Sequence, residues 1–355
     1  MNKIKVYNRI DQLKSIWEKV YCDSNDLTLY QSYEWNCNIE KYYKTNLYTF
    51  KTFYLKYFVY FKDDVPLIIA PLAIPRKNSL YVQLLGQYSK SGALNFVYSK
   101  DTQDSDFEFL IKHIRNKYKN KEIRFYEIGN YTKFGKFLAT AENTEIVSQR
   151  QCIRSELDSC SESYYESLSK STRQTIRTSY NRLATDNKRG RIEINYGCNS
   201  SEVFNNSELN ELYYKRNFEK NHTEVITNNP NTEKTNRLLS VAKSLVHAVF
   251  PSADPFSTFA TNSGFVLVKY FIDEELAAYF IALLNDTGYC IVPTLFYDSS
   301  FKRYSPGLLM VYEFICDAIK SKKVKVFDLS RGAETYKLRY TPNPEVYLNI
   351  DYCVK

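Results

Sequence analysis

Apolar residues at Leu13, Ile16, Trp17 and Val20 repeat with the spacing of an amphipathic helix, and predict one over residues 11–21. Residues 52–61 (TFYLKYFVYF) are rich in aromatic and β-branched side chains and predict a strand. Lys62, Asp63 and Asp64 form a polar turn after it, and residues 66–74 (PLIIAPLAI) read as the return strand. A further strand fits 80–85. A helix fits 106–119, with Phe107, Leu110, Ile111 and Ile114 on one face, and a buried strand fits 122–128.

The second half of the chain repeats this order. Residues 264–272 and 276–284 predict a hairpin across Asp273, Glu274 and Glu275, and 289–297 predict the next strand. Residues 307–320 predict a helix that buries Leu308, Val311, Tyr312, Ile315 and Ile319, and 324–329 a closing strand. The return strands begin at 66 and 276 and the closing strands at 122 and 324, so both pairs are separated by roughly 200–210 residues. That spacing points to one α/β unit present twice. Between the copies, residues 161–186 read as one long helix with Tyr164, Leu168, Ile176, Tyr180 and Leu183 inward and Lys170, Arg173, Arg177 and Arg182 outward. Residues 187–202 predict a turn, a short strand and a polar loop, 205–217 and 232–249 predict helices, and 251–264 a loop.

Composition changes this picture little. With 44% hydrophobic and 25% charged residues, the 355-residue chain has the make-up of a globular protein. A net charge of +8 is mild, and the general abundance of Lys in the chain explains it without a nucleic-acid partner; DNA is not expected. None of the eight cysteines forms a C-x-x-C pair and the three histidines are scattered, so no metal site is expected. The first residues lack an apolar signal-peptide core, and the apolar run from 65 to 74 is short and broken by proline. A cytoplasmic protein without stable membrane insertion is the expectation.

Two clusters can carry chemistry. In the first, Tyr304, Ser305, Pro306, Gly307 and Leu308 open the 307–320 helix, with Lys302 and Arg303 just upstream. Helix N-termini attract anions, and glycine lets a ligand approach the backbone, so this turn suits a pyrophosphate. The same residues also fit a plain helix start capped by Ser305. The equivalent helix in the first half is preceded by Asp101, Asp104 and Asp106, which would repel a phosphate. The second cluster, Asp328 to Lys337, follows the closing strand. Asp328 or Glu334 can act as base and Tyr336 as acid, or Asp328, Arg331 and Glu334 can form a structural ion-pair network. Arg173 and Arg177, with Arg331 and Lys337, are the candidates for holding an anionic acceptor or the phosphates of a donor, although a solvated charged face is the other meaning of such a helix.

The hairpin, strand, phosphate-ready turn, helix and strand resemble the GNAT core, which binds acyl-coenzyme A between splayed strands. More specifically, residues 296–309 (FYDSSFKRYSPGLL) and 327–337 (FDLSRGAETYK) resemble the CelD/BcsL-type acetyltransferases of that superfamily, which are associated with exopolysaccharide synthesis. Asp328, Arg331, Gly332, Glu334, Tyr336 and Lys337 fit the family's pattern, with Ala333 as an extra residue between Gly332 and Glu334. Gln31 to Trp35 and Leu85-Gly86 match it more loosely. The resemblance implies an α/β fold with mixed sheets, built as two tandem GNAT-like units. These are an N-terminal domain over 1–155 without a cofactor site, and a C-terminal acyltransferase domain over 156–355 that includes the 161–186 helix. It further implies acetyl-CoA or another acyl-CoA as donor, and a small-molecule or glycan acceptor such as a sugar or nucleotide-sugar. The architecture is also similar to Fem-type transferases, so an aminoacyl-tRNA donor is the second reading and a non-catalytic scaffold the third.

Overall fold

The computed structural model describes residues 2–77, 80–87, 91–157, 160–199, 202–203, 206–215, 264–340 and 345–355. In chain order the elements are β1 (Asn2–Tyr7), α1 (Lys14–Cys22), α2 (Tyr33–Thr45), α3 (Leu47–Thr52), β2 (Phe53–Lys62), β3 (Val65–Pro75), β4 (Val82–Leu84), β5 (Val97–Tyr98), α4 (Asp104–Lys117), β6 (Ile123–Gly129), α5 (Lys133–Thr140) and β7 (Thr144–Glu156). There follow α6 (Ser161–Ser167), α7 (Lys170–Thr185), β8 (Gly190–Cys198), β9 (Phe265–Ile272), β10 (Glu275–Leu284), β11 (Tyr289–Tyr297), α8 (Pro306–Ser321), β12 (Val326–Arg331) and β13 (Glu345–Val354). Residues 207–215 of the helix expected over 205–217 are helical. The helix expected over 232–249 and the loop from 251 to 263 lie outside the described residues.

The chain forms two compact units: Met1–Leu168 with Leu283–Pro293 and Ala318–Lys355, and Ser169–Ala282 with Thr294–Asp317. In the first unit the strands run in the order β1–β2–β3–β4–β6–β13–β7–β12, and β5 adds to β3. The β2–β3 hairpin turns on Asp63 and Asp64, both at positive φ (49° and 59°), the conformation a two-residue turn demands and one that aspartate tolerates. Asp273 holds the same place, at φ 55°, between β9 and β10.

The repeat is visible in the pairing. β4 pairs parallel with β6 (Val82↔Ile123), and β11 pairs parallel with β12 (Tyr289↔Val326). Each half then closes on the other half's last strand: β13 pairs antiparallel with β6, and β7 pairs antiparallel with β12. Both closing strands carry a bulge with a residue at positive φ, Glu127 at 58° in β6 and Ser330 at 59° in β12.

The core of this unit is aromatic. Phe134 stacks on Phe96 at 4.2 Å and meets Phe107 at 5.2 Å and Phe125 at 5.6 Å. Helix α5 brings Phe134 there, and its start is fixed by the Thr132 hydroxyl, which accepts from the Gly135 N–H at 3.0 Å. A Cβ at Gly135 would lie 2.1 Å from the Gly129 carbonyl oxygen, so the helix can approach β6 only with glycine there. Gly135→Ala is therefore expected to cost about 1–3 kcal/mol, as overpacking does; an unchanged denaturation midpoint would show that α5 can shift freely.

In the second unit β8 pairs antiparallel with β9 (Gly190↔Ile272), followed in the sheet by β10. Tyr180 of α7 donates to Glu313 of α8 at 2.7 Å, and Tyr196 of β8 donates to Asp317 at 2.9 Å. The single helix expected over 161–186 is two helices. Leu168 is buried and extended (φ −65°, ψ 149°), and the Ser169 side chain accepts from the Thr172 N–H and starts a new helix. An N-capping serine competes with continuation of the preceding helix. Among the described residues no helix is long and apolar enough to cross a membrane.

Candidate active site

The helix-start cluster lies in the second unit. A 3-10 turn over Ser299–Tyr304 begins at Asp298, whose carboxylate accepts from the Ser300 N–H at 2.9 Å and pairs with Lys215 at 2.6 Å. The turn ends at Ser305 in the left-handed region (φ 50°, ψ 51°). Its carbonyl then accepts from the N–H groups of Leu308 and Leu309 at 3.0 and 3.2 Å, which starts α8 with Pro306 as its first residue, where no N–H is needed. Gly307 is not demanded by packing. A Cβ there would make only ordinary contacts of 3.9–4.0 Å with Leu295 and Tyr297. This opening fits a phosphate approaching the backbone.

The C-terminal end of α7 is tied to this turn. Asp186 pairs with Arg303 at 3.1 Å and accepts from the Tyr304 hydroxyl at 2.8 Å, and Arg182 donates to the Arg303 carbonyl at 2.8 Å. Arg303 is thus already partnered, yet its side chain stays exposed. Arg173 and Arg177 stand further back along α7, one turn apart on one face, and form no ion pair with the described residues.

The second cluster lies in the first unit. Asp328 is fully buried on β12. Its carboxylate accepts from the Tyr289 hydroxyl at 2.7 Å, from the Tyr347 hydroxyl, and from the Ser330 N–H at 2.7 Å. Tyr289 also reaches the Tyr131 hydroxyl at 3.1 Å, and the Arg154 guanidinium lies over the Tyr131 ring at 4.4 Å. Burial raises the Asp328 carboxyl above the usual carboxylate range, against the pull of its three donors and of Arg154. Burial and the Asp328 charge push Tyr289 and Tyr347 well above 10. A buried carboxylate with a raised pKa and a tyrosine chain leading away from it has the properties of a general base acting through a relay.

The remaining predicted residues are placed differently. Arg331 turns to Glu127, with Nε 3.0 Å from its carboxylate, and Arg150 pairs with the same group. Lys337 is buried, donates to the carbonyls of Arg331 and Gly332, and pairs with Glu334 at 3.1 Å. Its ammonium is thereby taken up by the turn it sits in. Glu334 is exposed and held below the usual range by Lys337 and a backbone N–H, despite an opposing effect of partial burial. Tyr336 is exposed along one side. Asp328 bonds to neither Glu334 nor Tyr336.

Tyr131, Tyr289, Tyr347 and Glu127 were not singled out by sequence. The chain has 32 tyrosines, and only pairing in space distinguishes these three. The helix start of the first half is closed by its own side chain: buried Asp106 accepts from the Gln103 N–H at 2.9 Å and the Tyr60 hydroxyl at 2.8 Å, and pairs with Lys62 at 3.2 Å.

Residues 246–338 match the family of acetyltransferase (GNAT) domains, a span that includes the 303–308 turn and Asp328. Among solved structures, a conserved protein of unknown function from Bacteroides thetaiotaomicron VPI-5482 is 11% identical over 99% of this chain and 100% of its own, with a TM-score of 0.54. FemX is 11% identical over 98% of this chain and 96% of its own, with a TM-score of 0.53. A tandem GNAT protein from the clavulanic acid biosynthesis pathway is 9% identical over 100% of this chain and 98% of its own, at 0.48. No curated protein matches the chain.

Proposed function

We propose that this GNAT-like acyltransferase takes its acyl group from acetyl-CoA or another acyl-CoA and passes it to a hydroxyl or amine of a sugar or glycan intermediate. The observation that carries the reading is the turn from Arg303 to Leu308. It enters α8 with a glycine that packing does not require, inside the stretch that matches the acetyltransferase domain. Its backbone and the α8 dipole suit the coenzyme's pyrophosphate, and Arg173 and Arg177 supply further positive charge in the same unit. The likeness of residues 296–309 and 327–337 to the CelD/BcsL type supports a glycan-related acceptor.

Acyl transfer from a thioester requires that the acceptor lose a proton as its oxygen or nitrogen bonds to the carbonyl carbon. The carbon–sulfur bond then breaks and the departing thiolate takes a proton. Asp328 is suited to receive the first proton through Tyr289 and Tyr131, since a carboxyl raised by burial is a stronger base than an exposed one. Tyr336, half-exposed beside Glu334, is the candidate for returning a proton to the thiolate.

Thermal unfolding with a panel of acyl-CoAs and with bulk tRNA tests the donor. A ligand at about 100 times its Kd adds ~2.7 kcal/mol to the folded state. A rise of at least about a degree or two with one acyl-CoA, and none with tRNA, is expected for a chain of this size. A salt-sensitive rise with tRNA alone would replace the donor assignment with an aminoacyl-tRNA one.

A further inference from the structure

Gln83 of β4 is fully buried, and neither its Nε2 nor its Oε1 has a hydrogen-bond partner among the described residues. A buried amide with both ends unmet is rare in a folded protein, because its water has been stripped without replacement. Register fixes where it sits. Ala73 pairs with both Leu55 and Gln83, so Gln83 shares the sheet face of Leu55 and Tyr57. On that face Tyr57 donates to Glu40 of α2. On the other flank Gln83 pairs with Arg124, whose guanidinium lies over the Tyr81 ring at 4.6 Å and donates to the Tyr126 hydroxyl at 3.3 Å.

Next along β6 is the bulge. Asp351 faces both Tyr126 and Glu127, and the Glu127 N–H donates to Asp351 at 2.9 Å. A glutamate at positive φ is a strained choice that packing alone does not favour. Its carboxylate gathers Arg331, Arg150 and the Asn349 amide, at 3.3 Å from the last. Asn349 is itself buried, and its Oδ1 has no hydrogen-bond partner among the described residues. The motif segments not used by the donor site converge here. Trp35 donates to Ser91 and Gln31 to the Ala93 carbonyl, both at 2.9 Å. A Cβ on Gly92, between them, would stand 3.8 Å from Tyr30 and 4.0 Å from Arg331.

We propose that this face of the first unit, bounded by Gln83, Tyr81, Tyr126, Glu127 and Asn349, binds the acceptor through its hydroxyl groups. The unmet atoms decide the chemistry. Gln83 Oε1 and Asn349 Oδ1 need donors and Gln83 Nε2 needs an acceptor, and a hydroxyl is both at once. A fully ionised phosphate ester would offer only acceptors and would leave Gln83 Oε1 and Asn349 Oδ1 unmet. Tyr81 and Tyr126, with rings 5.6 Å apart, add the apolar surface that a pyranose ring presses against. The proposal rests on the reading of a sugar acceptor and names where that acceptor is held.

The test uses the full chain, saturation-transfer NMR and three probes: methyl glucoside, glucosamine and inorganic phosphate. The wild-type protein is expected to transfer saturation to ring protons of a sugar. Gln83→Leu, which removes the amide and breaks no hydrogen bond among the described residues, is expected to weaken that binding at least tenfold and leave acyl-CoA binding as it was. Gln83→Met repeats the test should the leucine variant fail to fold. Sugar binding that is equal in wild type and variants would overturn the site and leave the sugar reading standing. Binding of acyl-CoA but of neither sugar by the wild type would overturn both. Phosphate binding that Gln83→Leu abolishes would overturn the assigned chemistry.

Discussion

Asp328→Asn is expected to lower the rate of acyl transfer by about a hundredfold or more, the usual contribution of a general base, while acyl-CoA affinity stays unchanged. The amide keeps the size of the carboxylate, and its oxygen can still accept from the Ser330 N–H while its NH2 group takes the place of the oxygen that faces the two tyrosine hydroxyls. It cannot take a proton. In the wild type the rate should rise with pH through an apparent pKa above the ordinary carboxylate value, because burial raises this group. The variant should lose that limb of the profile. Glu334→Gln is the control. Its carboxylate is exposed and held low by Lys337, so the change should cost little. A large loss with Glu334→Gln and none with Asp328→Asn would move the base to Glu334.

The same raised pKa has a consequence for stability, with a definite sign. A carboxyl that binds its proton more tightly when folded contributes most below the unfolded value near 4, and loses that contribution as pH rises through the folded value. Relative to Asp328→Asn, the wild type should therefore lose stability across that window and run parallel to the variant on either side. A flat difference between the two denaturation curves from pH 4 to 8 would mean that the three donors fully offset burial.

The parts legible in the sequence are those whose partners are near in the chain. The hairpins β2–β3 and β9–β10 show long apolar runs and acidic turns, and α8 shows the 3.6-residue spacing, so each was readable within its own window. Strands β7 and β13 were not. Much of β7 is exposed, and its partners β12 and β13 come from the far end of the chain, so nothing local marks it as a strand. The site shares this limit. Asp328 was readable from its motif, but Tyr347 reaches it only because β13 lies across β7 from β12, and Tyr131 meets its partner Tyr289 and not Asp328 itself. Glu127 lies beyond pattern reading for the same reason: its importance comes from a bulge opposite Asp351 and from Arg331, and neither is near it in sequence. The break at Leu168 and Ser169 is not marked by sequence either: serines stand at 161, 163, 167, 169 and 171, and only the extended backbone of Leu168 makes Ser169 the one that starts α7.

Gly307→Glu should weaken acyl-CoA binding by about a hundredfold, or ~2.7 kcal/mol, and should do so without destabilising the protein. The two effects have separate causes. A Cβ at this position meets nothing closer than 3.9 Å, and a carboxylate in the first turn of α8 favours the helix dipole. What the carboxylate excludes is a second anion at the same backbone groups. Gly307→Ala separates charge from bulk: it should raise stability by up to about 1 kcal/mol, as alanine does in a helix, and weaken the donor only as far as the pyrophosphate touches the glycine. Because stability and affinity are expected to move in opposite directions, misfolding cannot imitate the result. Unchanged acyl-CoA binding in Gly307→Glu would place the pyrophosphate elsewhere, since neither packing nor a positive φ asks for glycine at this position.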